Sequence, residues 1–568
     1  MSKSLFSEIG HGDKESDSAM PSAVATRRSP FRDDRSNWVP DAFLLLALVA
    51  VWIWLVLPIV TEGLRGYDIF RDIGSAVNVQ HGRYIGDPAY PNETFWYPPL
   101  SPILVAGISA LLDAKAADCY RWSQLLVNGW IPIGLFLIVR IQWGRRAAIF
   151  TTVALLLAMP WWQTEIAHGQ PSIHAVIWGM AAVLVYGQQE RRASMTWAVA
   201  CGVLQGVSFW HHPFVPAALT GAFLVQGMWA ARRNATQDDA RAPMRASLWR
   251  HGVMLLVILL ISAPLLVQIL RGPTLNPVPR AYLAHELQTV EYALMHGNPW
   301  LWAAGFAGVF CCLLRRDRGG RLLIAFLVIT LAAQIPGYVR IYWGELAGDV
   351  PPLLPHEFQR LFQLGWAIAI GIGIDGALRA LGKRVAWIEA TPAARIGLTL
   401  AACLLTGAWY VRDVPANLRR YLMKASFPSQ ADGAAEWIRK HTDIDDVFAC
   451  EPDLAFRWLN PETGRKVLIM PDGHSNPRVD WRARAEVLAA LEQAPTAGAF
   501  REIALRHGVR YFIPSSRWNP RVATDPELRA AGLGKTFELA HPGGGIVPIY
   551  HIMAPATLEP SNSAKNRD

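Results

Sequence analysis

Apolar runs recur through the first 411 residues, and every second gap between them carries a cluster of arginine or lysine. The runs are 39–60, 123–140, 147–160, 171–186, 195–210, 213–231, 253–270, 299–314, 322–336, 361–378 and 396–411, about eleven in all. Segments of this kind satisfy their own backbone as helices and gain little from water, so a bilayer is their natural solvent. With the N-terminus inside the cell, the inward turns hold Arg140, Arg145 and Arg146, then Arg191 and Arg192, then Arg232 and Arg233, then Arg315, Arg316 and Arg318, then Lys383 and Arg384. That is the charge asymmetry that orients membrane helices.

Of all residues 52% are hydrophobic and only 17% are charged, against about a quarter charged in ordinary soluble domains. The 24 tryptophans and the formal charge of +9 are accounted for by interfacial belts and cytoplasmic turns, so the basic balance needs no nucleic-acid partner. Five of the six cysteines lie before residue 412 and only Cys450 in the more polar tail, which leaves no disulfide framework to read. Residues 1–38 are polar throughout and lack the apolar core of a secretory signal, so a disordered cytoplasmic arm is expected.

The run 100–112 is too short to span and opens after Pro98-Pro99. We assign it to the first outer loop, 61–120, the longest outer segment before the tail. After residue 411 the pattern changes. Helical stretches at 431–440, 482–492 and 500–507 alternate with strand-like stretches at 447–449, 467–470, 509–513 and 547–552, which predicts a small α/β domain over 412–568. An odd number of spans places it outside. The expected architecture is a polytopic all-α membrane region, 39–411, followed by an outer α/β domain.

The first outer loop holds the most suggestive chemistry. In the stretch from Gly66 to Ile73, helical spacing puts Ile69, Ile73 and Ala76 on one face and Asp68 and Asp72 on another. Like charges at i and i+4 destabilise an exposed helix by roughly 0.2–0.5 kcal/mol unless a cation, a substrate or a shifted pKa relieves them. The plainer reading has Asp68 capping the helix and Asp72 pairing with Arg71. Gly82-Arg83-Tyr84 and then Phe95-Trp96-Tyr97-Pro98-Pro99-Leu100 follow, leading into the short helix at membrane level.

An Asp just after the first span, a Gly-x-Tyr, a Tyr-Pro-Pro-Leu and then His168-Gly169-Gln170 opening a later span resemble, in that order, the GT-C superfamily of membrane glycosyltransferases. The pattern is most similar to glycosyltransferase family 87, whose members take sugars from polyprenyl-phosphate donors. The resemblance runs loosely from residue 39 to about 377. It implies that Asp68 is the catalytic base, with Asp72 beside it where the family often has an aromatic residue, and that Tyr97, His168 and Gln170 meet substrate. Trp210-His211-His212-Pro213 stands where relatives show Lys-Pro, so His211 and His212 become candidate phosphate donors. The segment from Leu354 to Arg360 is similar to a Pro-x-Arg-Phe segment of that superfamily, which adds His356 and Arg360, and Arg340 is a further cation at a span end.

The implied partners are a polyprenyl-phosphate sugar donor and a lipid, glycan or other cell-envelope acceptor, at the outer face of a bacterial inner membrane. Single-carboxylate base catalysis suits a phosphate leaving group, which needs charge stabilisation more than a proton. No cofactor is demanded, and a divalent cation at Asp68 and Asp72 stays open. Each basic candidate also has a reading as an interface anchor. A transporter or flippase of a lipid-linked substrate, and a non-catalytic protein of the same fold, are the competing classes.

Overall fold

The computed structural model describes residues 39–62, 68–159 save 85, residue 162, 171–234, 241–270, 299–342 save 316, 355–385, 431–515, and 525–553 save 531 and 542–544, with a few positions between 391 and 401. The expected N-terminal arm lies outside the described residues, and the expected span 396–411 almost wholly so.

The membrane region is a bundle of α1 (Val39–Glu62), α2 (Ile69–Gln80), α3 (Leu100–Leu112), α4 (Ala116–Leu126), α5 (Trp130–Trp143), α6 (Arg145–Val153), α7 (Pro171–Arg192), α8 (Met195–His211), α9 (Phe214–Asn234), α10 (Arg241–Leu270), α11 (Pro299–Arg315), α12 (Arg318–Ala332), α13 (Ile335–Tyr342) and α14 (Pro355–Arg384). Six described stretches are long and apolar enough to cross a membrane: Val39–Pro58, Ala116–Trp143, Phe214–Arg232, Met244–Leu270, Arg318–Val339 and His356–Arg384. The expected runs at 147–160, 171–186, 195–210 and 299–314 are also largely helical, but shorter, broken by a π-helical turn at Ala154–Ala158, or more polar. Leu46, Trp54, Trp249, Leu260, Trp300 and Phe306 are mostly exposed, an outer surface that suits lipid.

Two buried charge clusters tie one end of the bundle. Asp41, at the start of α1, takes Arg140 and Arg145, while Asp375 of α14 takes Arg146 and Arg379. The arginines that mark an inward turn in the sequence are therefore partly consumed as ion pairs. Asp375 lies 18 residues after Glu357 on α14, about 27 Å at 1.5 Å per residue, close to the thickness of a bilayer's hydrocarbon. Glu357 thus stands at the opposite end of the bundle from the arginine turn. Helices α11 and α14 cross backbone to backbone, and a methyl group at Gly308 or Gly373 would overlap the carbonyl of Ala369 or Ala304, the close approach that small residues permit between membrane helices.

The C-terminal region begins with α15 (Ala431–His441) and builds a sheet of β1 (Val447–Ala449), β2 (Lys466–Val467), β3 (Val509–Phe512), β4 (Leu533–His541) and β5 (Gly545–Ile552), in the order β2-β1-β3-β5-β4. Strand β1 runs parallel to β2 and β3, and β5 antiparallel to β3 and β4. Helices α16 (Trp481–Glu492) and α17 (Ala497–Arg506) cover one face. The other face is closed by the segment between α1 and α3, because Ile69, Phe70, Ile73 and Ala76 of α2, with Ala89 and Tyr90, share one core with Phe448, Phe456 and Trp458. The apolar face of α2 read from the sequence is the face that carries the C-terminal domain.

Several polar groups inside this seam are paired with one another. Lys466, 4% exposed, donates to the Asn78 side chain at 3.0 Å and to the Asp87 carbonyl at 2.6 Å. Burial pulls its pKa down, and the Asp87 carboxylate works against that. Asp87 in turn accepts from the backbone of Ala89 and Tyr90 and from Asn476. A buried charge kept ionic needs such partners.

Candidate active site

Asp68 ends the turn before α2 with helical backbone angles and makes no side-chain cap. Its carboxylate is 37% exposed and stands 3.1 Å from Nδ1 of His474, off the line of that ring's N–H. Burial raises the pKa of Asp68, but His474 and the charges of Arg71 and Arg360 outweigh it and hold the carboxyl well below the usual range. Solvent at the exposed oxygen screens part of this effect.

One turn on, Asp72 is fully buried. Arg71 Nε lies 3.4 Å from its Oδ1, while Oδ2 has no hydrogen-bond partner among the described residues. Burial, opposed by Arg71 and reinforced by Asp68, pushes Asp72 up to about 7. The two carboxylates therefore differ sharply: the accessible one is held ionised, and the buried one is held close to protonation.

Arg71 links them to the membrane side. Its guanidinium packs 3.7 Å from the centroid of Tyr97 and within 5.9 Å of Trp96, a cation–π arrangement. Tyr97 meets His212 edge to face at 6.3 Å. His212 Nε2 lies 3.7 Å from Glu357 at the start of α14, His356 Nε2 3.6 Å, and Arg360 Nη1 3.3 Å. Asp68, Arg71, Asp72, Tyr97, His212, His356, Glu357 and Arg360 thus form one continuous charged cluster.

Below it lies apolar space. A small pocket against Glu357 and Arg360 shares the walls Val176, Val215 and Leu361 with a cavity of about 80 Å³ lined by residues such as Leu135, Met180, Leu219 and Phe326. A charged mouth over an apolar interior suits an amphiphile with an anionic head.

The structure gathers Asp68, Asp72, Tyr97, His212, His356 and Arg360, but separates His211 from its neighbour. His211 is buried with Ser101 and His174, and the partly exposed Trp178 reaches it from α7. The Trp178 N–H can only donate, so Nε2 of His211 accepts and Nδ1 donates to Ser101, whose hydroxyl is also hydrogen-bonded to His174 Nδ1. That chain wires α3, α7 and α8 together rather than facing the cluster. Arg340 sits on α13, with its side chain outside what is described, and His168 and Gln170 lie outside the described residues. For a divalent cation, no group of three or more His, Cys, Asp or Glu side chains with metal-binding geometry occurs among the described residues.

Arg71, Glu357 and His474 are the members that sequence reasoning missed. Arg71 had a signal, since it lies between two aspartates on one helix, and Glu357 adjoins His356. His474 had none, because its partner Asp68 is about 400 residues away in the chain.

No protein-family profile matches the sequence, and no curated protein does. Solved structures match over most of the chain. The Archaeoglobus fulgidus oligosaccharyltransferase in the apo form aligns with a TM-score of 0.54 at 12% identity, covering 92% of this chain and 76% of that one. The Archaeoglobus fulgidus oligosaccharyltransferase AglB, in complex with an inhibitory peptide and a dolichol-phosphate, gives 0.53 at 13% identity, with 91% and 75% covered. ArnT from Cupriavidus metallidurans, bound to undecaprenyl phosphate, gives 0.50 at 16% identity, with 91% and 98% covered. The chain shares the fold of these solved structures: a helical region with six described stretches long and apolar enough to cross a membrane, and a small C-terminal sheet domain.

Proposed function

We propose that this protein transfers a sugar from a polyprenyl-phosphate donor to a lipid, glycan or other cell-envelope acceptor at the outer face of the bacterial inner membrane, in the manner of glycosyltransferase family 87. One observation carries the reading. The accessible carboxylate of Asp68 shares a single charged cluster with Arg71, His212 and Arg360, and that cluster lies over apolar walls at Val176, Val215 and Leu361. Two proteins of similar fold are solved with polyprenyl phosphates, ligands with the same division into anionic head and apolar tail.

In the reaction the acceptor hydroxyl attacks the anomeric carbon, the bond from that carbon to the phosphate oxygen breaks, and polyprenyl phosphate leaves as the anion. Asp68 receives the hydroxyl proton. A carboxylate of low pKa takes it late, as the new bond makes the hydroxyl acidic. Arg71 and Arg360 stabilise the departing phosphate, where charge grows most.

Purified protein incubated with labelled polyprenyl-phosphate sugars and envelope acceptors should move label to the acceptor, and Asp68→Asn should lower the rate by about 10²–10⁴-fold with donor binding nearly kept. Lipid translocation without transfer in a vesicle assay would replace this reading with that of a transporter.

A further inference from the structure

We propose that His474, carried by the C-terminal domain, is a positioning residue that holds the Asp68 carboxylate in place, so that the site is assembled from both ends of the chain. The proposal rests on the reading of Asp68 as the base. His474 closes a short turn, Asp472–His474, and its ring stacks on Phe456 at 4.6 Å with 25° between the planes. Phe456 meets Phe70 of α2 edge to face at 6.0 Å. The imidazole is thus fixed against the same helix that begins at Asp68, with its Nδ1 3.1 Å from the carboxylate and only 14% of its side chain exposed.

The next two residues repeat the contact. Ser475 Oγ is hydrogen-bonded to the Tyr90 hydroxyl at 2.7 Å, and Asn476 donates to the Asp87 carboxylate at 2.8 Å. Three consecutive side chains of the C-terminal domain therefore grip three residues of the first outer loop, and only the first of them touches a group in the cluster. A clasp that needed mechanical strength alone would be complete with Ser475 and Asn476. His474 adds a ring nitrogen 3.1 Å from a carboxylate whose side chain is 37% exposed.

The groups around Asp68 come from several elements: Arg71 and Asp72 on its own helix, Tyr97 from the loop, Arg360 from α14, and Glu357 behind Tyr97. Arg71 is already engaged with Asp72.

Infrared titration of the full-length protein in lipid nanodiscs reads the pairing directly, with the Asp68 carboxyl band assigned by its loss in Asp68→Asn. In His474→Phe, which keeps a ring on Phe456, the band should protonate about one pH unit or more above its wild-type position. Ser475→Ala, which loosens the clasp without touching Asp68, should leave it in place. In the transfer assay His474→Phe should lower kcat by about 10²-fold with the donor KM unchanged, as expected when a base is misplaced by about an ångström. A band at its wild-type pH in His474→Phe, or one that moves equally in Ser475→Ala, would overturn the proposal. If the phenylalanine variant does not fold, His474→Ala gives the same reading. A wild-type protein that transfers no sugar would count against the reaction above, while the band would still decide the pairing.

Discussion

The Arg71 guanidinium lies over the Tyr97 ring, 3.7 Å from its centroid, with its Nε turned to Asp72. One side chain therefore compensates a buried carboxylate and seals the aromatic edge of the cluster. Arg71→Lys keeps the charge but loses the planar stack, so donor KM should rise with the fold intact. Arg71→Ala leaves Asp72 buried and unpaired, and should destabilise the protein by about 3 kcal/mol in chemical unfolding above neutral pH.

Asp72 gives the pH test. Its carboxyl is pushed up to about 7 in the folded protein by burial, Arg71 notwithstanding, whereas an unfolded chain ionises it near ~3.9. Between those values the folded state binds more protons than the unfolded one. The stability Asp72 contributes is complete at and below about pH 4 and is lost as pH rises through about 7. Thermal unfolding of wild type against Asp72→Asn, which mimics the protonated form, should show the wild type losing ground from about pH 4 to about pH 7 and levelling off above, with the variant free of that slope.

Gly74 sits where α2 meets the short helix Asn460–Thr463, and a methyl group there would overlap the Asn460 carboxamide. Asn460 cannot simply swing away, because its amide donates to the carbonyls of Pro88 and Arg465. Gly74→Ala should cost about 1–3 kcal/mol by overpacking and make the C-terminal domain more susceptible to limited proteolysis. Unchanged proteolysis would mean the seam tolerates displacement.

The wall shared by the pocket and the cavity offers a test of the lipid path. Val176→Trp or Leu361→Trp fills the junction beneath Glu357 and Arg360. Donor binding, measured with a labelled polyprenyl phosphate, should weaken by tenfold or more, while binding of a water-soluble short-chain analogue falls less.

Sidedness can be read with cysteine labels at two exposed positions, Tyr84 in the first loop and Lys383 at the far end of α14. Tyr84→Cys should react with an impermeant reagent from outside, and Lys383→Cys only after the membrane is opened. Reaction of both from one side would rule out the orientation read from the arginine turns.

Much of the bundle was legible because lipid imposes one rule on every span, and the α2 face was legible because Ile69, Ile73 and Ala76 repeat at helical spacing. Strand β4 was missed. Its sequence, with Gly534, Lys535 and Glu538 among apolar residues, carries the charges that protect a sheet edge and so reads as polar loop. The α2 side of the cluster was visible through Asp68 and Asp72. His474 was not, because Pro471-Asp472-Gly473 announces only a turn, and what the turn delivers depends on a docking that local sequence does not encode.

Lys466 and Asn78 are 388 residues apart and yet share a buried hydrogen bond. During synthesis the apolar face of α2 must wait until nearly all the helices, and then the strands that cover it, have been made. Closing so long a loop is slow and leaves the waiting surface open to wrong partners. A chain cut short before Trp458 would still place its helices in the bilayer but would never finish the cleft. The order of translation thus acts as a safeguard: an incomplete molecule can insert but lacks the turn that brings His474 to Asp68.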